Sequence, residues 1–469
     1  MMPEYDLQEQ QLVKRLDLKI LPMLMAMCVW HTLVRTNLSP GSLMNIDSES
    51  AMARELNLSP PELQWISLSF YIASALFALP SNLAIGIFRP SRWLANMMVL
   101  WGIIGSAMAA LQDVGGFVAI KVFLGITGGG YLPAVMLYMT FFYTQQERGR
   151  RFALILAFVG LIEACSPFLA LVLEEIDGIF GLSGWRWLFL GEGLGCLIIG
   201  LLSFKCLADY PSTASYLTVA DRVLGSSRLQ DQESQNEAAS EFNPIADNVK
   251  SLPTRTFHYY QLTNCIQSYQ LWMQAILFMA LRSSLDYTTI LIEQFSLEIV
   301  HTYLPSTEHG SGHSSNIPIS AFNVYGQLLT TLPFVVTIPL ALKLAEWSDS
   351  SQSRSYALGL SVGISVGSLL ALVWMPEIAP VHYIFLVAAT VGSASAQAIL
   401  MAFSLEDSRG TTHRASTISI LIAMGYVGGG IVVPLCLGAD GTYKARHKPS
   451  LLEEYFGRDI DQDSKTKDI

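Results

Sequence analysis

Residues 187–207 read WLFLGEGLGCLIIGLLSFKCL, with one acidic and one basic side chain among 21 mostly apolar positions. An α-helix needs roughly 20 apolar residues to cross the hydrocarbon core of a bilayer. Ten comparable runs occur elsewhere in the chain, separated by polar connections. We therefore predict helices at 19–38, 63–87, 92–111, 116–143, 151–174, 187–207, 271–300, 319–344, 355–375, 381–403 and 414–437.

The overall composition indicates that these helices lie in lipid. Of the 469 residues, 51% are hydrophobic and only 14% are charged. This is too apolar for a soluble protein of such length. The predicted fold class is an all-α membrane protein with about 11 transmembrane helices embedded in a lipid bilayer.

Several classes of function are not expected. The formal net charge is -10, and the basic residues form short clusters, so a nucleic-acid partner is excluded. The sequence contains no GxxxxGK[ST], HExxH or GxSxG pattern, which argues against ATP-driven transport and against an enzyme. Its six cysteines are scattered singly, so we expect no disulfide framework, no metal site and no cofactor.

Lysines and arginines predict the orientation, because they favour the cytoplasmic ends of membrane helices. They recur in alternate connections, whereas the intervening loops LEEIDGIFG and HTYLPSTEHGSGHSSN have none. The amino terminus and the long linker are thus expected in the cytoplasm. The predicted divisions are a tail at 1–18, a six-helix bundle at 19–207, a cytoplasmic and mobile linker at 208–270, a five-helix bundle at 271–437 and a polar tail at 438–469.

Two acceptor tripeptides for N-glycosylation lie in the first outward loop. They are Asn37-Leu38-Ser39 and Asn57-Leu58-Ser59. Asn37 is expected too close to the bilayer, so Asn57 is the candidate, although Pro60 weakens that pattern. A chance occurrence of the tripeptide is the alternative.

The local motifs give a family resemblance over roughly residues 15–445. In order, they are Arg35-Thr36-Asn37, Phe70-Tyr71, Leu79-Pro80-Ser81-Asn82, Pro90-Ser91-Arg92-Trp93-Leu94, Glu147-Arg148-Gly149-Arg150-Arg151-Phe152-Ala153, Gly184-Trp185-Arg186-Trp187-Leu188-Phe189, Glu192-Gly193 and Asp209-Tyr210-Pro211. The chain resembles the major facilitator superfamily, and within it the anion:cation symporter branch that includes fungal allantoate-permease-like transporters.

This resemblance implies two helical bundles around a central cavity, lined by the first, fourth, seventh and tenth helices. A small organic anion would bind near the midplane and cross the plasma membrane by alternating access, with a proton as the candidate coupling ion, in a monomeric transporter. Charged loops would latch one state through Arg92, Arg148, Arg150, Arg151, Asp349 and Arg354. Simple topological anchoring is the alternative role for these arginines.

The sequence departs from the family pattern at three places. Val34 stands where the first helix usually carries an acid, and Lys121, Gly125 and Gly128-Gly129-Gly130 replace the acid-bearing pattern of the fourth helix. No twelfth apolar run follows residue 437, so either the gene model is truncated or the protein is a reduced member. Proton coupling needs a titratable group in the membrane, and the usual acids are absent.

The seventh predicted helix supplies replacement candidates. Arg282, Asp286, Thr289 and Glu293 fall on one narrow stripe at helical spacing. Charges at this depth are costly unless they face a cavity or a partner. We therefore predict that Arg282, Asp286 and Glu293 contact substrate and that Asp286 or Glu293 takes part in coupling; an internal salt bridge between Arg282 and Asp286 is the alternative.

Other polar residues in apolar helices complete the predicted site. Arg35 and His31 in the first helix and Lys121 in the fourth are candidate substrate contacts, and Glu163 in the fifth is a candidate coupling acid. Each also has a structural interpretation: a snorkelling arginine, a histidine bonded to a neighbour, or a paired acid. The predicted function is secondary active transport. The alternative is a nontransporting sensor or degenerate member that retains the fold.

Overall fold

The computed structural model describes residues 2–44, 50–85, 87–238, 259–303, 319–350, 354–375, 378–406, 408, 410–432 and 434. Over these ranges the regular structure is helical. The α-helices are α1 Met2–Thr36, α2 Leu38–Leu43, α3 Met52–Glu55, α4 Pro60–Ala84, α5 Pro90–Ala107, α6 Val114–Gly128, α7 Tyr131–Thr140, α8 Gln145–Glu174, α9 Gly184–Cys206, α10 Val219–Ala238, α11 Tyr259–Gln267, α12 Tyr269–Tyr303, α13 Ile319–Ser350, α14 Arg354–Trp374, α15 Ala379–Ser404 and α16 Thr411–Val427. A π-helical turn at Gly428–Val432 extends α16.

Each of the eleven predicted spans coincides with helix in the structure. Ten helical segments within the described ranges are long and apolar enough to cross a membrane, with α6 and α7 forming one of them. The remaining predicted span is the second half of α1, whose Lys19, His31 and Arg35 reduce its hydropathy. Residues 435–469, including the end of the last predicted span and the polar tail, lie outside the described part of the chain.

The helices pack into two halves. The N-terminal half contains α1 and α4–α9, and the C-terminal half contains α12–α16. Small residues allow close approach within each half: a β-carbon at Gly102 would overlap the backbone of Leu197, and one at Gly392 the backbone of Ser365. Across the boundary, α8 packs against α13 and α15, and α4 packs against α16. A central site can therefore form between α1, α8, α12 and α16.

Two segments predicted to be tails or linkers are partly helical. α1 begins at Met2, well inside the predicted tail at 1–18, and its Leu12, Leu16 and Ile20 are 0%, 0% and 2% exposed. These positions repeat at i and i+4, so they form an apolar stripe that continues the helix beyond the membrane segment. The polar residues between them masked that stripe in the sequence.

The linker prediction at 208–270 requires a similar correction. α10 occupies 219–238 and docks on the N-terminal half through Arg228, which is 6% exposed. Arg228 Nη1 lies 2.9 Å from Glu147 Oε1, and its Nη2 donates to the Phe142 carbonyl at 2.8 Å. The polar sequence of α10 is stabilised by this charged contact rather than by an apolar face. Residues 239–258 lie outside the described ranges.

Candidate functional site

A cavity of about 830 Å³ lies between the two halves. It is lined by Cys28, His31, Thr32 and Arg35 of α1, Tyr71 of α4, Tyr131 and Leu132 of α7, Leu156, Val159, Gly160 and Glu163 of α8, Phe278, Arg282 and Leu285 of α12, Ala394 and Gln397 of α15, and Ile422, Gly425 and Tyr426 of α16. The four helices expected from the family resemblance contribute, as do α4, α8 and α16. The volume is that of a small-molecule site.

Charged side chains from three helices converge on this cavity. Glu163 of α8 forms an ion pair with Arg35 of α1, and its Oε2 lies 3.5 Å from Arg282 Nη2 of α12. Arg282 also pairs with Asp286, with Nη2 2.7 Å from Oδ1 and Nε donating to Oδ2 at 3.0 Å. The Glu163 carboxylate thus lies between two guanidinium groups, one from each half of the molecule.

The local sequence explains how Arg282 and Asp286 are held. They are four residues apart on α12, so their side chains meet on one face of the helix. The facing helix α16 contributes glycines: a β-carbon at Gly429 would overlap the Asp286 carboxylate, and one at Gly425 would come within 3.0 Å of Phe278. Glycine therefore makes room for the charged pair between α12 and the end of α16.

Aromatic side chains form much of the cavity wall. The Tyr71 and Tyr426 rings approach with centroids 6.4 Å apart across the boundary between the halves. His31 is stacked between Trp101 and Tyr131, with centroids 4.3 and 4.2 Å away. His31 reaches the cavity but is only 5% exposed, so its main contacts are these rings.

Two predicted substrate contacts lie away from this cavity. Lys121 is 2% exposed inside the N-terminal half, where its Nζ donates to Asn37 Oδ1 at 3.2 Å, close to the buried Glu192. Glu293 is exposed about three helical turns beyond Arg282, and it does not line the cavity. The predicted stripe on α12 is therefore divided, because only its first two charged members face the convergence point.

The predicted gating residues fall into three groups. Asp349 connects the halves: its Oδ2 accepts the Arg150 backbone N–H at 2.8 Å, and its Oδ1 lies 3.0 Å from Arg354 Nη2. Arg354 also lies 2.6 Å from Glu406 and donates to the Gln145 carbonyl at 2.6 Å. These contacts join α8 to the connection between α13 and α14.

The remaining gating candidates act within the N-terminal half. Arg151 binds both oxygens of Asp17 at 2.7 Å, and its guanidinium lies 4.2 Å from the Tyr143 ring centroid. Arg148 donates to the Tyr143 carbonyl at 3.0 Å, whereas Arg92 is exposed at the start of α5. These three positions stabilise or flank the loop but do not bridge the halves through these bonds.

Sequence reasoning did not select Tyr71, Tyr426 or Asn82 as functional positions. Asn82 is fully buried, and its amide donates to the Ala415 carbonyl at 3.0 Å and to Ser419 Oγ at 2.9 Å. It therefore bonds α4 to α16 at the same end of the molecule as the Asp349 contacts. The only signal in the sequence was that Asn82 and Tyr71 belong to the quoted motifs.

Comparisons with known proteins agree with this architecture. Residues 41–434 match the family model described as Major Facilitator Superfamily. The chain is 24% identical over 435 residues to the MFS transporter prlL of Fungal sp. (strain NRRL 50135), covering 92% of this chain and 80% of the relative. It is 33% identical over 230 residues to the major facilitator-type transporter hxnP of Emericella nidulans, covering 47% of this chain and 44% of that protein.

Solved structures share the fold. The proton:xylose symporter XylE aligns with a TM-score of 0.54 and 13% identity, covering 91% of this chain and 90% of XylE. The human organic anion transporter MFSD10 aligns with a TM-score of 0.53 and 14% identity, covering 89% of this chain and 92% of MFSD10. At these identities the likeness concerns the fold alone.

Proposed function

Because the chain belongs to the major facilitator superfamily of transporters, we propose that it moves a small organic anion across a membrane by secondary active transport with alternating access. The observation that carries this proposal is the convergence of Arg35 and Arg282 on one cavity between the halves. Guanidinium groups bind carboxylates with matched geometry. A solute held by both arginines would be held by both halves.

The burial of these charges supports a functional role. The side chains of Arg35, Glu163 and Arg282 are 9%, 20% and 21% exposed. Ionised groups at such depth in a membrane protein are costly and commonly mark substrate or ion pathways. A replacement of all of them by apolar residues would serve stability alone at least as well.

Coupling to protons is assigned to the acids of the same region. Glu163 and Asp286 both contact Arg282, so protonation of either carboxylate changes the charge that the substrate meets. Glu293 is the remaining candidate on α12, further along the helix. Val34, where the family usually has an acid, is fully buried and lies close to Gly105, which fits the transfer of this role to other helices.

Alternating access is assigned to contacts at one end of the molecule. The Asp349 interactions with Arg150 and Arg354, together with the bonds of Asn82, hold α8 and α4 against the C-terminal half. We assign this end to the cytoplasm from the distribution of lysine and arginine. The amino terminus is then cytoplasmic, the protein acts as a monomer in the plasma membrane, and the exposed Asn57 is the outward glycosylation site.

The deciding experiment is uptake by purified protein in vesicles. A panel of labelled organic acids, with and without an inward pH gradient, should identify at least one acid that accumulates only when protein is present. Arg282→Ala should abolish this uptake, whereas Arg89→Ala, at an exposed position, should not. Specific binding without flux for any compound would support the nontransporting sensor instead.

A further inference from the structure

The two positive charges of the cavity are matched within the protein itself. Arg35 and Arg282 carry two positive charges, and Glu163 and Asp286 carry two negative charges, so the cluster is neutral when all four are ionised. Any anion that enters without a proton leaves the cluster with uncompensated negative charge. In a largely buried site such an excess is strongly disfavoured.

The two carboxylates are held differently. Asp286 is four residues from Arg282 on the same helix and meets two of its nitrogens at 2.7 and 3.0 Å. Glu163 reaches both arginines from another helix, and its contact with Arg282 is longer, at 3.5 Å. Glu163 is therefore the carboxylate that can leave with less loss, and it occupies the position that a solute carboxylate would need.

On the basis of the proposed transport function, we propose that the cavity selects monocarboxylates with an apolar body, one of which replaces the Glu163 carboxylate between Arg35 and Arg282. Glu163 takes up one proton from solvent as the solute carboxylate enters, and it releases that proton when the solute leaves. The cluster is neutral in both states. A dicarboxylate would leave one uncompensated negative charge, because Asp286 remains bonded to Arg282.

The walls of the cavity favour an apolar or aromatic body for the solute. Leu132, Leu156, Phe278 and Ile422 supply apolar surface, and Tyr71 and Tyr426 supply aromatic faces. No further guanidinium or ammonium group lines the cavity among the described residues, so a second carboxylate would find no cationic partner there. The recognition would therefore consist of one charged end and one apolar end.

Other titratable groups near Glu163 have to be considered in a pH experiment. Besides the two arginines and Asp286, those facing the same cavity from the packed helices are Cys28, His31, Tyr71, Tyr131 and Tyr426. His31 is the one that ordinarily titrates near neutral pH. A pH effect must therefore be assigned with variants.

Binding to the purified full chain in detergent tests the selectivity without requiring transport. Benzoate and hexanoate should bind, and succinate should bind at least tenfold more weakly. Benzoate affinity should fall about tenfold per pH unit above the range in which Glu163 takes up its proton, as expected for one linked proton. Succinate binding to the wild-type protein as tightly as benzoate would overturn the proposal, whatever the behaviour of any variant.

Three variants assign the effect. Glu163→Gln should bind benzoate at least as tightly as the wild type at low pH, without the tenfold dependence, whereas Glu175→Gln, an exposed carboxylate at the end of α8, should retain it. His31→Gln should also retain it. Asp286→Asn should gain at least tenfold for succinate relative to benzoate. An unchanged pH dependence in Glu163→Gln would refute the role of Glu163, and absence of flux with this binding pattern intact would refute only the transport proposal.

Discussion

Glu163 of α8 and Arg282 of α12 form an ion pair across the boundary between the two halves, with Oε2 3.5 Å from Nη2. A movement that separates α8 from α12 at this level must lengthen or break the pair. Because Arg35 of α1 also contacts Glu163, the same movement changes the environment of both arginines. Binding of a solute and movement of the halves are thus linked through one carboxylate.

Removal of the Arg282 side chain should abolish anion uptake while the protein still reaches the membrane. Arg282→Ala leaves Asp286 without its partner and adds net negative charge to the cavity, so affinity for an anion should fall at least about 100-fold. Uptake per molecule of membrane-inserted protein measures the effect, with Arg89→Ala as the matched control. Undiminished uptake by Arg282→Ala would mean that its pair with Asp286 is purely structural.

A methyl group at Gly429 should disturb the same pair from the opposite helix. The added β-carbon would overlap the Asp286 carboxylate and lie 3.7 Å from Arg282 Nε, so Gly429→Ala should weaken substrate binding about tenfold or more. Gly359→Ala is the control, since nothing lies within 4 Å of its added β-carbon. Equal binding by both variants would show that α16 does not confine the charged pair.

Loss of the Asp349 carboxylate should favour separation of the halves at its end of the molecule. Asp349→Ala removes the contacts with Arg150 and Arg354, worth about 1.5 kcal/mol or more, which corresponds to at least about a tenfold change in population. The distance between spin labels attached at positions 89 and 356, both exposed, should lengthen.

The neighbouring Glu346 supplies the control for this change. Its carboxylate lies 3.9 Å from Arg150, and the two side chains are 52% and 59% exposed. Such an exposed pair contributes about 0–1 kcal/mol. Glu346→Ala should therefore leave the spin-label distance unchanged, and a similar lengthening in both variants would argue against a specific latch at Asp349.

Glu55 should make the stability of the N-terminal half depend on pH. Burial alone would raise the pKa of Glu55, but hydrogen bonds from Ser183, Arg186 and Trp185 outweigh it and hold the pKa below the ordinary value of 4.5. The contribution to stability is then present above pH 4.5 and is lost as the pH falls through the lowered pKa.

The corresponding measurement is thermal unfolding in detergent between acidic and neutral pH. Glu55→Gln should lower the unfolding midpoint at neutral pH by an amount equivalent to roughly 1 kcal/mol. This difference should shrink as the solution becomes more acid. Glu175→Gln, at an exposed site, should follow the wild type throughout, and a difference for Glu55→Gln that grows with acidity would contradict the assignment.

Arg228 should be needed for the docking of α10 on the N-terminal half. Arg228→Ala would leave Glu147 and the Phe142 carbonyl without this donor and should cost about 3 kcal/mol of unfolding free energy. Protease sensitivity of the segment around α10 should rise with it. Gln230→Ala, at an exposed position of the same helix, should change neither property, and unaltered protection in Arg228→Ala would show that other contacts hold the helix.

Properties that depend on local sequence were predictable. Apolar length fixed the eleven predicted spans, because a helix satisfies its own backbone hydrogen bonds and needs only sufficient apolar surface to lie in lipid. The spacing of Arg282 and Asp286 predicted their contact for the same reason, since a helix places residues four apart on one face. The helical extension of α1 and the helix α10 were missed because their contacts are with distant parts of the chain.

Tertiary packing alone determined which of the membrane charges meet. Nothing in the separate helices indicates that Glu163 lies between Arg35 and Arg282, or that Lys121 lies inside the N-terminal half beside Asn37. These outcomes depend on the rotation of each helix about its axis, which is fixed by small residues such as Gly429 and by the fit of neighbouring side chains. Sequence therefore specified the helices and their local pairs, whereas packing specified the cavity and the charges that face it.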